Sequence, residues 1–214
     1  MAIFPLAAEA ESARFSYDVS VGSQVFTFPI EIEFESPQIV ITIDIGGLFA
    51  PGQQGESQTE LDRLIQALKL DQMPGNYQSF RYNGTGGEVR PPNLWLKYHF
   101  TVDLKNAKPT NGSVELLLTG DVSDGSVGLK LAERPVLNIS NDVLDALASL
   151  TGLGDTLVAQ LADALTRSLS DDEARLRLPS WVPSSVRVES AIFTITEGRQ
   201  ALVVTGTISD PVAP

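Results

Sequence analysis

Three acidic residues recur at every second position and are the first candidates for chemistry. Glu31, Glu33 and Glu35 would share one face of an extended strand, spaced about 7 Å apart. Calcium takes several carboxylate oxygens, so these residues could ligate it with help from a loop. The alternative is a solvated strand face whose charges oppose edge-to-edge aggregation, and we favour it. The sequence therefore predicts no metal site.

Catalytic chemistry has few candidates. His99 is the single histidine, so no other imidazole could serve a Ser–His–Asp arrangement. It falls on the polar face of an alternating segment, and no Gly-x-Ser-x-Gly sequence occurs, which indicates a surface histidine. Asp171 and Asp172 point apart as neighbours and fit a helix boundary better than an acid–base pair. We predict no catalytic residue, although an enzyme acting through carboxylates brought together by the fold stays as a third hypothesis.

Two ligand-binding patterns also have simpler interpretations. The glycines of Gly84–Thr85–Gly86–Gly87 are followed by Pro91–Pro92 and a strand, whereas a phosphate-binding loop leads into a helix. We interpret this segment as a turn. Trp95 and Trp181 could stack on sugars or bases, but tryptophan is usually largely buried, and burial is the favoured interpretation.

Composition excludes several classes of function. The chain has 214 residues, a formal net charge of −12, 43% hydrophobic residues and no cysteine. The negative charge argues against sequence-independent binding to nucleic acid, which depends on clustered Lys and Arg. Without cysteine there is no disulfide, thiolate nucleophile or iron–sulfur cluster, and one histidine excludes a multi-histidine metal centre. We expect no cofactor and no bound metal.

The length and flanking charges of hydrophobic stretches bear on localisation. The opening MAIFPLAAEAES lacks a positively charged region, and its apolar patch is shorter than that of a usual signal peptide. No stretch approaches the roughly 20 apolar residues that span a bilayer. We expect a soluble, cytoplasmic protein without a transmembrane segment, with an exported mature form as the alternative.

Period-2 alternation is the strongest structural signal. Residues 26–35 place Thr27, Pro29 and the three glutamates on one face and an apolar row on the other: Phe26, Phe28, Ile30, Ile32 and Phe34. Pro29 cannot donate to a strand ladder, which predicts an edge or a bulge there. Similar patterns predict strands at residues 15–21, 38–45, 93–104, 113–122, 127–131, 136–139, 186–196 and 201–208. Short connections among them favour antiparallel pairing.

Helical periodicity appears in two places. Ser57 and Glu60 form a capping box ahead of an amphipathic stretch that ends before Pro74. Residues 76–92 have no periodicity and are predicted to be a long irregular loop. Residues 141–169 carry an i+4 leucine stripe, Leu157, Leu161, Leu165 and Leu169, which predicts a helical hairpin or one long helix kinked at Gly152 and Gly154. The fold expected is a single α+β domain over residues 1–214, with a long, twisted, mostly antiparallel sheet packed around or against that helix.

The C-terminal third resembles a known superfamily in its order of elements. After the leucine stripe come Leu178–Pro183, a strand over residues 186–195, a turn, and a strand over residues 201–208. This order resembles the closing segment of tubular lipid-binding (TULIP) domains, over residues 141–208. The resemblance implies a highly curved sheet wrapped around a long helix, with lipid held in an apolar groove. It assigns no individual functional residue.

The long apolar faces lead to our main functional hypothesis. We expect a non-enzymatic protein that binds an apolar ligand, such as a lipid or fatty acid, in a groove between sheet and helix. The predicted contacts are Phe26, Phe28, Ile30, Ile32, Phe34, Leu157, Leu161 and Leu165. The alternative is a structural or assembly protein whose apolar surface and loops dock a partner subunit or a second copy.

Overall fold

The computed structural model describes most of the chain and shows that strands dominate it. The described residues are 11–21, 24–50, 59–67, 79–103, 109–123, 125–139, 159, 162, 163, 166, 167, 169, 176–177 and 185–208. Of these, 74% lie in strands and 14% are helical. The fold class predicted above is therefore wrong. Two antiparallel sheets replace the single sheet packed on a long helix, because residues 38–44 pair with the distant residues 201–207 in one sheet while strands between residues 79 and 139 pair among themselves in the other.

A five-stranded sheet forms from the two ends of the chain. Its strands are β1 (Glu11–Val21), β2 (Gln24–Glu35), β3 (Gln38–Asp44), β10 (Val186–Thr196) and β11 (Arg199–Ile208). Their order is β1-β2-β3-β11-β10, and neighbouring strands run antiparallel. The C-terminal hairpin thus completes a sheet that the N-terminal strands begin.

The middle of the chain builds the six-stranded sheet. Its strands are β4 (Ser79–Arg90), β5 (Asn93–Asp103), β6 (Thr110–Ser123), β7 (Ser126–Leu131), β8 (Val136–Ile139) and β9 (Leu176–Arg177). The order is β4-β5-β6-β7-β9, with β8 pairing with β6. The described helical segments are a 3-10 turn over Gly46–Phe49, α1 (Glu60–Ala67), and helical residues between 159 and 169. No helix in these ranges is long and apolar enough to cross a membrane.

The two sheets share one core and come closest where β10 crosses β6. A Cβ atom added to Gly120 in β6 would lie 2.1 Å from the carbonyl oxygen of Ala191 in β10, so this crossing brings the backbones together. The Phe193 N–H donates to the Pro92 carbonyl at 3.0 Å. Gln200 Oε1 accepts from the Val89 N–H at 2.7 Å. These bonds join β10 and β11 to the β4–β5 hairpin.

Most predicted strands are confirmed, and the predicted irregular loop is wrong. Residues 79–90, placed within the loop of residues 76–92, form the twelve-residue strand β4. Its pairing with β5 shifts register between Tyr82 and Gly84, which interrupts the alternation. Most of the helix predicted over residues 141–169 lies outside the described residues.

Local chemistry explains two further details. Pairing of β2 with β3 begins at Ile30, so Pro29 faces an open edge on that side while it pairs with Ser16 in β1 on the other. The helix cap of α1 differs from the prediction, because Thr59 and Asp62 form the reciprocal capping bonds. Ser57 lies outside the described residues.

Candidate ligand-binding cavity

An apolar cavity of about 160 Å³ lies between the two sheets. The five-stranded sheet contributes Tyr17, Val19, Phe26, Phe28, Ile43, Ile45, Phe193 and Leu202. The six-stranded sheet contributes Leu94, Leu96, Leu116, Leu118, Val127, Gly128 and Leu129. Helical segments add Leu48, Leu61, Leu64, Ile65 and Leu169. Hydrocarbon from both layers therefore surrounds the space.

Strand alternation produces this wall. Cross-strand pairing sets Leu94 opposite Leu118 and Leu96 opposite Leu116, which makes a square of leucines on the inner face. All four leucines are buried. Leu117, between two of them in β6, is half-buried and faces the other side of the sheet.

Five of the lining residues are more accessible than the rest. Tyr17 and Val19 in β1, Phe28 in β2, Leu64 in α1 and Leu129 in β7 are half-buried, whereas most other lining residues are buried. β1 is an edge strand of its sheet, so Tyr17 and Val19 belong to a strand that pairs along one side only, with β2.

The structure separates the predicted contact residues into groups. Phe26, which is 3% exposed, and the half-buried Phe28 line the cavity. Ile30 and Ile32 are buried in the core beyond it, and Phe34 is half-buried; none of the three is part of the wall. The inward orientation of the row is confirmed, and its contact with a ligand stays a prediction. Leu157, Leu161 and Leu165 lie outside the described residues.

A buried carboxylate fixes α1 against β4. Asp62 is 5% exposed, and its Oδ1 accepts hydrogen bonds from the Thr85 N–H at 2.7 Å and from the Tyr82 hydroxyl. Its Oδ2 accepts from the Thr59 N–H at 2.8 Å and from the Thr59 hydroxyl at 3.0 Å. Four donors compensate the desolvated charge, so this cluster holds α1 in place. The adjacent Leu61, like Leu64 and Ile65, then reaches the cavity.

A guanidinium group lies next to the cavity wall. The Cζ atom of Arg63 in α1 is 5.8 Å from the centre of the Phe26 ring. Arg63 Nη1 donates to both carboxylate oxygens of Glu60, at 2.6 and 2.8 Å. Both side chains are about 40% exposed, so the pair lies at the surface beside the apolar space.

On the acidic outer face of β2, Glu31 is paired with arginine side chains. Arg14 donates to Glu31 from Nε at 2.8 Å and from Nη2 at 2.6 Å, and Arg199 Nη2 lies 3.7 Å from the same carboxylate. The hydrogen bond from Arg14 is the main reason that the pKa of Glu31 is lowered. Within the described residues, no group of three acidic or histidine side chains could hold a metal ion.

Two other residues considered from the sequence, His99 and Trp95, lie on the outer face of β5, whereas Trp181, Asp171 and Asp172 lie outside the described residues. His99 is exposed in β5. Trp95 is half-buried, with the Arg90 guanidinium 4.0 Å above its ring, so the indole face is covered by a side chain. Glu115 accepts from Trp95 Nε1 at 3.3 Å and forms an ion pair with Lys97 at 3.2 Å. Hydrogen bonds from Lys97 and Trp95 lower the pKa of Glu115.

Sequence reasoning missed Asp62 and Arg63. Both looked like ordinary polar positions of an amphipathic helix. The Thr59-x-x-Asp62 spacing matches a capping box and was the available signal for Asp62. No local pattern marked Arg63, because its position beside Phe26 depends on how α1 docks.

A comparison with protein-family models gives no match, and a comparison with curated protein sequences gives none either. Among solved structures, the chain is similar to lipopolysaccharide binding protein, at 12% sequence identity. The match covers 85% of this chain and 44% of that chain, with a TM-score of 0.36. The chain thus spans less than half the length of that structure. This is a weak likeness of fold and says nothing about a ligand of this chain.

Proposed function

We propose that this protein binds the hydrocarbon part of a small apolar molecule, such as a fatty acyl chain, without catalysing a reaction on it. The observation that supports the proposal is the cavity of about 160 Å³ lined by apolar side chains from both sheets and α1. A water molecule in a protein interior needs two to four polar partners. Hydrocarbon suits such a wall better than water does.

The size of the cavity limits what it can enclose. An apolar cavity of about 150 Å³ accommodates benzene, so this space suits a segment on the order of six to eight carbons. A longer ligand would extend past half-buried lining residues such as Tyr17, Phe28 and Leu129. Each CH₂ group taken out of water contributes roughly 0.8 kcal/mol, so such a segment provides several kcal/mol before the cost of association.

Two neighbouring leucines provide a matched test. Leu116→Trp extends a side chain into the cavity, whereas Leu117→Trp makes the same change on the opposite face of β6. Binding of octan-1-ol, measured by isothermal titration calorimetry, should be lost in the first variant and retained in the second. Thermal unfolding of both proteins checks that each is folded.

Two results would overturn the proposal. Absence of octan-1-ol binding to the unmodified protein is one, provided that alkanols from six to ten carbons also fail to bind. Equal binding to the two tryptophan variants is the other, because the ligand would then lie elsewhere. Light scattering on the same samples examines the assembly alternative: self-association without alkanol binding would favour it.

A further inference from the structure

The chemistry beside the cavity narrows the class of ligand. Arg63 is the charged side chain that the described structure places over a ring of the cavity wall, 5.8 Å from the centre of Phe26. Phe26 is 3% exposed, while the Arg63 side chain is 40% exposed. A partly exposed cation therefore lies against a buried ring of the cavity wall.

The bonding of Arg63 leaves it able to take a second anion. Both of its hydrogen bonds to Glu60 start from Nη1. A guanidinium group has five N–H donors in a planar fork, so within the part of the chain that the structure describes the Nε and Nη2 directions remain for an oxyanion. Glu60 competes with such an oxyanion for the Arg63 guanidinium group, and this competition limits how strongly the oxyanion can bind.

We infer that the ligand is a single-chain amphiphile with a carboxylate head, whose hydrocarbon occupies the cavity and whose head pairs with Arg63. This inference rests on the proposed function. A singly charged carboxylate matches the single charge of one guanidinium group. Glu60 already neutralises part of the Arg63 charge, and this disfavours a doubly charged head. The negative charge of the whole chain, −12, opposes anions in general, so the preference must arise locally.

The test compares a pair of ligands that differ only in the head group. Octanoate and octan-1-ol have the same number of carbons, and the ratio of their dissociation constants reports the head alone. Arg63→Gln should shift this ratio toward octan-1-ol by about three- to tenfold, the range of an exposed charge pair strengthened by hydrogen bonds. Arg187→Gln, an equal charge change on the outer face of β10, should leave the ratio as it is.

Removing the competing carboxylate should act in the opposite direction. Glu60→Gln leaves Arg63 without its partner, and the ratio should shift toward octanoate while octan-1-ol binds as before. The inference is overturned if Arg63→Gln and Arg187→Gln give the same ratio, or if Arg63→Gln weakens both ligands equally. Failure of the unmodified protein to bind either ligand overturns the proposed function itself, and this inference with it.

Discussion

Asp62 in α1 and Thr85 in β4 are joined by a 2.7 Å hydrogen bond from the Thr85 N–H to the Asp62 carboxylate. This bond is buried and connects residues 23 positions apart. Because α1 supplies Leu61, Leu64 and Ile65 to the cavity wall, one polar cluster determines the position of an apolar surface.

Replacing Asp62 by Asn should destabilise the protein by about 1–3 kcal/mol. The amide keeps the shape but turns one acceptor into a donor, which leaves the buried donors of Thr59 or Thr85 unpaired. Urea denaturation gives the free energy of unfolding. Asp18→Asn, an equal change at an exposed residue of β1, is the control. Equal unfolding free energies for the two variants would contradict the role given to Asp62.

The crossing of β6 and β10 gives a second prediction. Gly120→Ala would place a Cβ atom 2.1 Å from the Ala191 carbonyl oxygen, so the strands must separate, at about 1–3 kcal/mol or more. Gly86→Ala in β4 meets nothing within 4 Å and should be close to neutral. Thermal unfolding of the two variants compares them. A Gly120→Ala protein as stable as Gly86→Ala would show that the two backbones do not meet closely.

Stability should depend on Glu31 in acid. Its pKa is lowered in the folded protein, chiefly by the hydrogen bond from Arg14, so its contribution is fully present above the ordinary value of 4.5. As pH falls below that value, Glu31 is protonated in the unfolded chain before it is protonated in the folded protein. The free energy of unfolding therefore decreases as the pH falls toward the pKa of Glu31 in the folded protein. Melting temperatures of Glu31→Gln should therefore fall less steeply below this pH than those of the unmodified protein.

The control for Glu31 lies on the same strand face. Glu33→Gln removes one carboxylate without removing the hydrogen bond to Arg14. If Glu31→Gln follows the acid profile of the unmodified protein, the Arg14–Glu31 pair does not stabilise the fold.

Leu169 offers a way to enlarge the cavity. It is 7% exposed and lines the wall from the C-terminal helical residues. Leu169→Ala should cost about 2–5 kcal/mol of stability and, under the proposed function, shift the preferred alkanol to a longer chain. Calorimetry with octan-1-ol and decan-1-ol measures the shift. Arg167→Ala, at an exposed position two residues away, should retain the original preference.

Sequence patterns predicted the faces of strands well where alternation was regular. Phe26, Ile30 and Ile32 are buried while Glu33 is exposed, because period 2 alone determines which side chains of a strand share a face. The same reasoning failed for β4. Its bulge changes the phase of alternation after Tyr82, and the inward position of Gly87 is filled by the side chains of Leu96 and Phe49. No apolar row is visible there.

Local sequence patterns could not predict which distant strands pair with each other. Ile41 in β3 pairs with Val204 in β11, and nothing near either residue specifies the other. The two-sheet architecture, the cavity and the Arg63–Phe26 approach all depend on such pairings. The apolar character of the site was therefore predictable, whereas its position and its neighbouring charge were not.

The place of β11 between β3 and β10 has a consequence during synthesis on the ribosome. One edge of β3 pairs with β2, and the other edge has no partner until residues 199–208 have been synthesised. Until then, Ile39, Ile41 and Ile43 belong to an incomplete sheet. Open strand edges of this kind promote intermolecular pairing. A nascent chain should therefore be prone to pairing with other chains until the β10–β11 hairpin has been made.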